Sequence, residues 1–275
     1  MTAGSGARSP GGGSSEGHSP PTGPPIASGS SSRPAHVPAA DAIEAPRPSQ
    51  VSARGQRHAR RQSSGRRLFA FDRRLGSRLV AGADEAGRGS LAGPLVASGV
   101  LFDYGALTTR ELRALSALND SKQHTCEARE ELFPLVLRSA ARVAIVCRCV
   151  RGIDSRGLHK TNLAALRDAV SAVTNDVAGE VVCLLDGFSV PDFGRPQRAI
   201  VDGDATSAAI AAASIVAKVT RDRYMRHADS QHPGWSFADH VGYSTPEHRE
   251  AILRQGVSPL HRMSFQSLAY QQLAL

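Results

Sequence analysis

LVAGADEAGRGSLAGPLVASGVLF, residues 79–102, decides how the rest of the chain is read. Its ends, LVAGAD (79–84) and VASGVLF (96–102), are short apolar runs that predict strands, and the glycine-rich middle predicts a bend between them. Two adjacent acids, Asp84 and Glu85, close the first run, and Gly87, Arg88 and Gly89 follow at once. Neighbouring side chains on a regular strand point to opposite faces. Both acids are therefore expected to serve one site only if the chain leaves the strand there, a departure that the two glycines make easy. Acids at a strand end equally suit a solvated turn, so this stretch alone leaves both readings standing.

Outward from this stretch, ARVAIVCRCV (141–150) alternates as a third strand, and RAIV (198–201) is a short one. VVCLLDG (181–187) is a continuous apolar run ended by Asp-Gly, the pattern of a central strand covered on both faces. Helices are predicted over 108–118, 126–138 (with Pro134 inside), 161–173, about 205–230, 246–254 and 265–273. In the third of these, Leu163, Leu166 and Val170 keep helical spacing. Strands come first and then alternate with helices, which predicts an α/β domain with a mixed central sheet, flanking helices and further helices at the C-terminus. Residues 79–275 suffice for one well-cored domain, and no internal repeat is visible.

Residues 1–66 are built from Gly, Ser, Pro, Ala and Arg with few large apolar side chains, so they are expected to be a disordered tail. Residues 67–78 are read as a basic junction. Residues 54–78 hold nine arginines against one acid, Asp72, a net of +8; residues 1–53 balance at three and three, and residues 79–275 at 21 and 21. The whole excess thus lies ahead of the domain. Such an arm attracts polyanions with little sequence preference and a steep salt dependence, although a plain solvated linker has the same composition. There is no apolar leader after Met1 and no uninterrupted apolar run of about 20 residues, so a soluble, cytoplasmic, monomeric protein with no membrane partner is expected. The four cysteines, at 126, 147, 149 and 183, lack a zinc-like spacing and are expected to be reduced, buried thiols. Only three of the 33 basic residues are lysines, Lys122, Lys160 and Lys218, so a surviving Lys suggests a need for a compact point charge.

Two further acids stand out. Asp186 ends the most apolar strand, and ligand sites in open α/β sheets lie beyond the carboxyl ends of strands. The Asp of an Asp-Gly turn explains it equally well. Asp204 precedes the long helix, where an N-cap suffices by itself. Taken together, Asp84, Glu85, Asp186 and Asp204 would repel one another if gathered without a counter-charge. A pair of hard divalent cations supplies it: such ions take oxygen ligands and, about 3.5–4 Å apart, activate water and stabilise the leaving oxygen of a phosphodiester.

GADEAGRGSLAGPL, NDSK, LLDGF, GDATSAAIAAASIVAKVTRDR, HVGYSTPEH and HRMSF, in this order over about 79–270, resemble the type 2 ribonucleases H, especially the bacterial ribonucleases HII. The resemblance implies a ribonuclease H-like fold and a Mg2+- or Mn2+-dependent endonuclease that cuts the RNA strand of RNA-DNA hybrids. It also implies incision on the 5′ side of single ribonucleotides in duplex DNA, leaving 3′-hydroxyl and 5′-phosphate ends. The family's acidic positions fall on Asp84, Glu85, Asp186 and Asp204, and its glycine-arginine-glycine element on Gly87, Arg88 and Gly89. There the backbone would meet the ribose 2′-OH, the group that separates RNA from DNA. The family's tyrosine, which packs on the following deoxyribose, falls on Tyr243, and Lys122 and Lys218 fall near substrate phosphates. Ser214, Lys218 and Arg221 share a helix face that suits a nucleic-acid path, although Arg221 equally suits a structural ion pair. Arg262 and Ser264 are expected to touch phosphate. Many relatives carry Lys where Gln123, Asp202 and Val241 stand, which implies weaker backbone affinity that the Arg-rich segment offsets. Two other readings remain: a nuclease or recombinase acting on ribose-free DNA, and a non-catalytic binder that works through the basic arm without metal.

Overall fold

The computed structural model describes residues 65–267 together with Tyr270 and Gln271. The expected tail, up to residue 64, and most of the helix expected over 265–273 lie outside the described residues; Phe265 itself sits in a bend and turn region.

A five-stranded mixed sheet runs in the order β3-β2-β1-β4-β5. Strands β1 (Leu79–Ala86), β2 (Leu95–Asp103) and β3 (Arg142–Arg148) are antiparallel neighbours, whereas β4 (Val181–Asp186) and β5 (Gln197–Ile200) join β1 in parallel. The period-2 alternation of β1 divides the core. Val80 and Gly82 face helix α6 (Ala208–Gln231), and Ala81 and Ala83 face helix α5 (Leu158–Thr174). Glycine is required where each helix touches the sheet: a Cβ on Gly82 would stand 2.2 Å from the Ala209 carbonyl carbon, and one on Gly99 2.3 Å from the Ala169 oxygen. This approach buries every residue of α6 from Ala208 to Ala217, nearly all of them small or aliphatic.

Helix α6 begins at Ala208, later than the sequence suggests, because Ser207 caps it by accepting from the Ile210 amide at 3.3 Å. The residues just before it, Gly203–Ala205, form one tight turn. Helix α2 (Thr109–Ala114) starts with a Thr108–Glu111 capping box, and α3 (Cys126–Ser139) continues through Pro134. Helix α4 (Val150–Arg156), folded into the strand expectation at its first residue, follows β3 directly. The short α7 (Phe237–His240) and α8 (Pro246–Gln255) complete the described elements.

The junction expected to lie outside the domain is part of it. Residues 65–73 form helix α1, and its Leu68 and Phe69 are buried in the core beside Phe102 and Leu115. The Asp72 carboxylate accepts from the Tyr104 hydroxyl at 2.8 Å and from the Ala209 amide at 2.9 Å, which ties α1 to the first turn of α6. Burial pushes the Asp72 carboxyl up to about 6. Apolar spacing was hidden in this segment by its arginines, which occupy the exposed face. A chain starting at residue 65 is therefore expected to melt like the full chain. A chain starting at Ser77 loses the burial of Leu68 and Phe69, each worth about 1.5–3 kcal/mol, and is expected to lose several kcal/mol in urea unfolding. Equal stability of the two truncations would contradict the packing of α1.

The four cysteines are free, but only Cys183 is fully buried; Cys147, on the edge strand β3, and Cys149, just after it, are exposed. No helix among the described residues is long and apolar enough to cross a membrane.

Candidate active site

Pairing of β1 with β4 stops at Ala83 and Leu185, while pairing with β2 runs on to Ala86 and Val96. Asp84 and Glu85 therefore remain inside a regular strand, contrary to the expectation that the chain must leave it. Asp84 points toward α6, beside Ser214, and Glu85 points toward α5, beside Asn162. Both still reach one cavity because it lies at the end of the sheet and not on either face. Where β4 stops covering β1, side chains from both faces reach around the same edge.

That cavity, about 220 Å³, is lined by Asp84, Glu85, Asp186 and Asp204 together with the bend Gly87, Arg88 and Gly89. Lys122, Ser214, Lys218 and Tyr243 complete the wall that the sequence anticipated. Asp186 is not spent on its own turn: its Oδ1 accepts from the Gly203 amide at 2.7 Å, which brings the turn carrying Asp204 to the strand end. Asp204 is buried and does not cap α6, since Ser207 does. A larger, mainly apolar cavity of about 430 Å³ lies between Cys147, Val96, Thr220 and Leu260, but it contains none of the acids.

The carboxylates raise one another's pKa. Asp84 is held well above the usual range by burial first and then by Glu85 and Asp186. Burial also pushes Glu85 up to about 6, against the pull of Arg88, whose guanidinium stands 3.9 Å away. Asp186 rises through burial, and Asp204 rises to about 6 through burial and its neighbour Asp120. The Lys122 pKa is raised, because Asp204, 3.9 Å away, Asp120, Asp84 and Asp186 outweigh its partial desolvation. Lys218 is bound by Asp222 at 2.8 Å and lies 5.2 Å from the centre of the Tyr243 ring. Arg88 covers Phe188 at 4.8 Å.

The donor set suits hard divalent cations, because it is all carboxylate oxygen and repels itself without a counter-charge. The buried Glu85 Oε2 has no hydrogen-bond partner, so it is an available ligand. Among the described residues no three such groups already converge tightly enough to chelate an ion, so the acids surround a space and do not close on a point.

Three expectations change. Arg262 is fully buried and donates to the carbonyls of Gly93 at 2.9 Å and Arg88 at 3.1 Å, so it supports the glycine bend from behind and does not touch phosphate. Arg221 is also fully buried, and its three donors meet the carbonyls of Pro94, Val241 and Ala92, each at 2.9 Å. It is neither a nucleic-acid contact nor one half of an ion pair. Ser264 is exposed but outside the cavity, where its hydroxyl donates to Asp154 at 2.6 Å. Gly87 explains the tight fit of the bend: its φ is +85°, and a Cβ there would stand 1.9 Å from Arg221 Nε. The sequence reading passed over Ser121, which joins Ser214 at 2.8 Å, and Asn162. Ser121 stood inside the quoted NDSK, where only the lysine carried a signal; Asn162 was hidden in a helical pattern.

A family model described as ribonuclease HII matches residues 81–268. Ribonuclease HII of Mycobacterium avium (strain 104) is 45% identical over 206 residues, spanning 74% of this chain and 86% of that protein. Ribonuclease HII of Mycobacterium tuberculosis (strain H37Rv) is 44% identical over 186 residues, 68% of this chain and 67% of its own. Among solved structures, ribonuclease H2 from Pyrococcus horikoshii OT3 superposes with a TM-score of 0.57 at 24% identity, over 71% of this chain and 96% of that one. Bst-RNase HIII in complex with Mn2+ superposes with a TM-score of 0.58 at 17% identity, over 77% of this chain and 72% of that one.

Proposed function

The chain belongs to the ribonuclease HII family and is an endonuclease of the ribonuclease H type, and we propose that it cuts the RNA strand of RNA-DNA hybrids and incises duplex DNA on the 5′ side of single ribonucleotides. One observation supports this above the others: four carboxylates and a Gly-Arg-Gly bend line the same cavity. Acids alone suit many phosphodiester hydrolases. The bend adds a place where backbone groups come close enough to a sugar to sense its 2′-OH.

Asp84, Glu85, Asp186 and Asp204 would hold divalent metal, and the Mn2+ complex of the HIII-type neighbour agrees with that chemistry. Mg2+ or Mn2+ held there would supply Lewis-acid activation of water and a counter-charge for the leaving oxygen. Lys122, with a side chain 80% exposed, offers a mobile cation for a flanking phosphate. Lys218 is oriented by Asp222 toward Tyr243, and Tyr243 offers its ring to the deoxyribose that follows the ribonucleotide. Arg88 stands at the mouth with Gly87 and Gly89, and Ser214 lies beside the Asp84 carboxylate.

A duplex with one internal ribonucleotide tests the reading. Incubated with Mg2+ or Mn2+, it should be cut immediately before the ribonucleotide to leave a 3′-hydroxyl, and it should stay intact in chelator. An all-DNA duplex should resist. Cutting of ribose-free DNA at a similar rate would favour a nuclease or recombinase of another kind, and an effect indifferent to chelator would favour a binder. The chain starting at residue 65 tests the outer part of the basic arm on the same substrates: losing Arg54, Arg57, Arg60 and Arg61 should flatten the dependence of log K on log salt by about 0.9 per lost phosphate contact. An unchanged slope removes these four arginines from binding.

A further inference from the structure

Beneath Tyr243 lie three imidazoles that the cavity does not use. His240 ends α7, His248 sits in the first turn of α8, and His261 lies in the segment after α8; they are 8%, 0% and 2% exposed. The rings of His240 and His248 stack at 4.1 Å and 15°, those of His248 and His261 are 5.2 Å apart, and Phe237 closes over all three.

Backbone groups at the ends of this cluster dictate where each proton sits. The Ser258 amide can only donate, and it lies 2.8 Å from His261 Nδ1. That nitrogen must carry the lone pair, so the His261 proton is on Nε2. His261 Nε2 is 3.1 Å from His248 Nε2, which must therefore accept. The His248 proton is then on Nδ1, 2.8 Å from the Tyr243 carbonyl, which can only accept. The two ends demand the same order. His240 is fixed separately: its Nδ1 accepts from the Gly242 amide at 3.1 Å, and its Nε2 donates to the Trp235 carbonyl at 2.7 Å. Burial keeps the rings neutral, lowering His240 and taking His248 and His261 down to about 4.

We propose that His261 and His248 are positioning residues: a one-directional relay from the Ser258 amide through both imidazoles to the Tyr243 carbonyl sets the Tyr243 ring in the cavity and so sharpens discrimination at the junction between a ribonucleotide and the DNA after it. The ends of the Tyr243 loop are anchored as the proposal needs. The Gly242 carbonyl accepts from the Leu91 and Ala92 amides at 2.9 and 3.2 Å, which couples the loop to the segment after the glycine bend. The His261 segment meets the same strip through its bridge to Ala92. The functional half of the proposal rests on Tyr243 contacting the sugar.

Two measurements separate the relay from that reading. Long-range 1H–15N correlation of the full chain at neutral pH should show His240 and His261 protonated on Nε2 and His248 on Nδ1. A His248 protonated on Nε2, or a doubly protonated His248 or His261, overturns the relay whatever the enzyme cuts. For cleavage, His261→Phe should lower the ratio of kcat/KM for a single-ribonucleotide duplex over a uniform hybrid by about 10-fold or more, the scale of a small misplacement of a positioning group. His261→Gln, whose amide places a donor near the lost Nε2–H, should restore most of the ratio. An equal loss on both substrates overturns the positioning role. Tyr243→Ala distinguishes the failures: if it leaves the ratio unmoved while the tautomers are as described, the sugar contact is wrong and the relay stands alone.

Discussion

Asp84→Asn is expected to lose cleavage by on the order of 10³-fold, the scale of removing a principal electrostatic contact in a transition state, and yet to melt higher than the parent when no metal is present. The two effects share one cause. Asp84 is buried, and that burial, with Glu85 and Asp186 beside it, pushes its carboxyl up. An ionised side chain in that position serves the fold poorly, and Asn keeps its shape without the charge. Its amide oxygen can still accept from the Glu85 N–H, which lies 2.7 Å from Asp84 Oδ1 in the parent. For a domain of this size each kcal/mol shifts Tm by about 2–4 °C, so a gain of a few degrees is measurable. Mg2+ or Mn2+ should raise Tm of the parent, because ligand binding to the folded form stabilises it, and should raise that of the variant far less. Turnover close to that of the parent would remove Asp84 from the chemistry. A lower metal-free Tm would instead show that its charge supports the fold.

Arg221→Ala is the change expected to cost most in stability without touching a carboxylate. The guanidinium is fully buried, and it satisfies three carbonyls from two segments that otherwise have few ties: Ala92 and Pro94 after the glycine bend, and Val241 before Tyr243. Val241 has φ +43°, a left-handed conformation that a β-branched residue rarely adopts, and the bond from Arg221 to its carbonyl helps to hold it there. Removing the side chain leaves three buried acceptors without donors and a void beneath Gly87. Leaving a buried acceptor without its donor costs about 1–3 kcal/mol, so three of them cost several kcal/mol, which for this size lowers Tm by roughly 10 °C. Lysine has a single donor group and cannot span three carbonyls, so Arg221→Lys should recover little. At temperatures where the variant is folded, KM should rise because the bend and the Tyr243 loop lose their shared support. A variant that melts within a degree or two of the parent would show that the carbonyls find other donors.

Much of this protein could be read before any contact was known, because the signals were local. The apolar runs ending at Asp84 and Asp186 placed two of the acids, and the glycines at 87 and 89 marked the bend beside them. The scarcity of lysine pointed to Lys122 and Lys218, both of which line the cavity. Local signals misled where a residue's partner is distant. An arginine looks the same in sequence whether it faces a phosphate or a set of carbonyls, so Arg262 was expected at phosphate and Arg221 was left between a nucleic-acid path and an ion pair, when both bind carbonyls. Arginine-rich α1 looked like a linker, and adjacent acids on a strand looked unable to share a site.

Composition, periodicity and motif order determined the strands and helices, the four acids and the family resemblance, since each is a property of a short stretch. Tertiary structure alone decided which cations are structural and where the domain begins. Those outcomes depend on hydrogen bonds between residues 137 apart for Asp72 and Ala209, 129 for Arg221 and Ala92, and 169 for Arg262 and Gly93. A buried polar group must find its partner wherever the fold brings one, and nothing within a few residues of it records which partner that is.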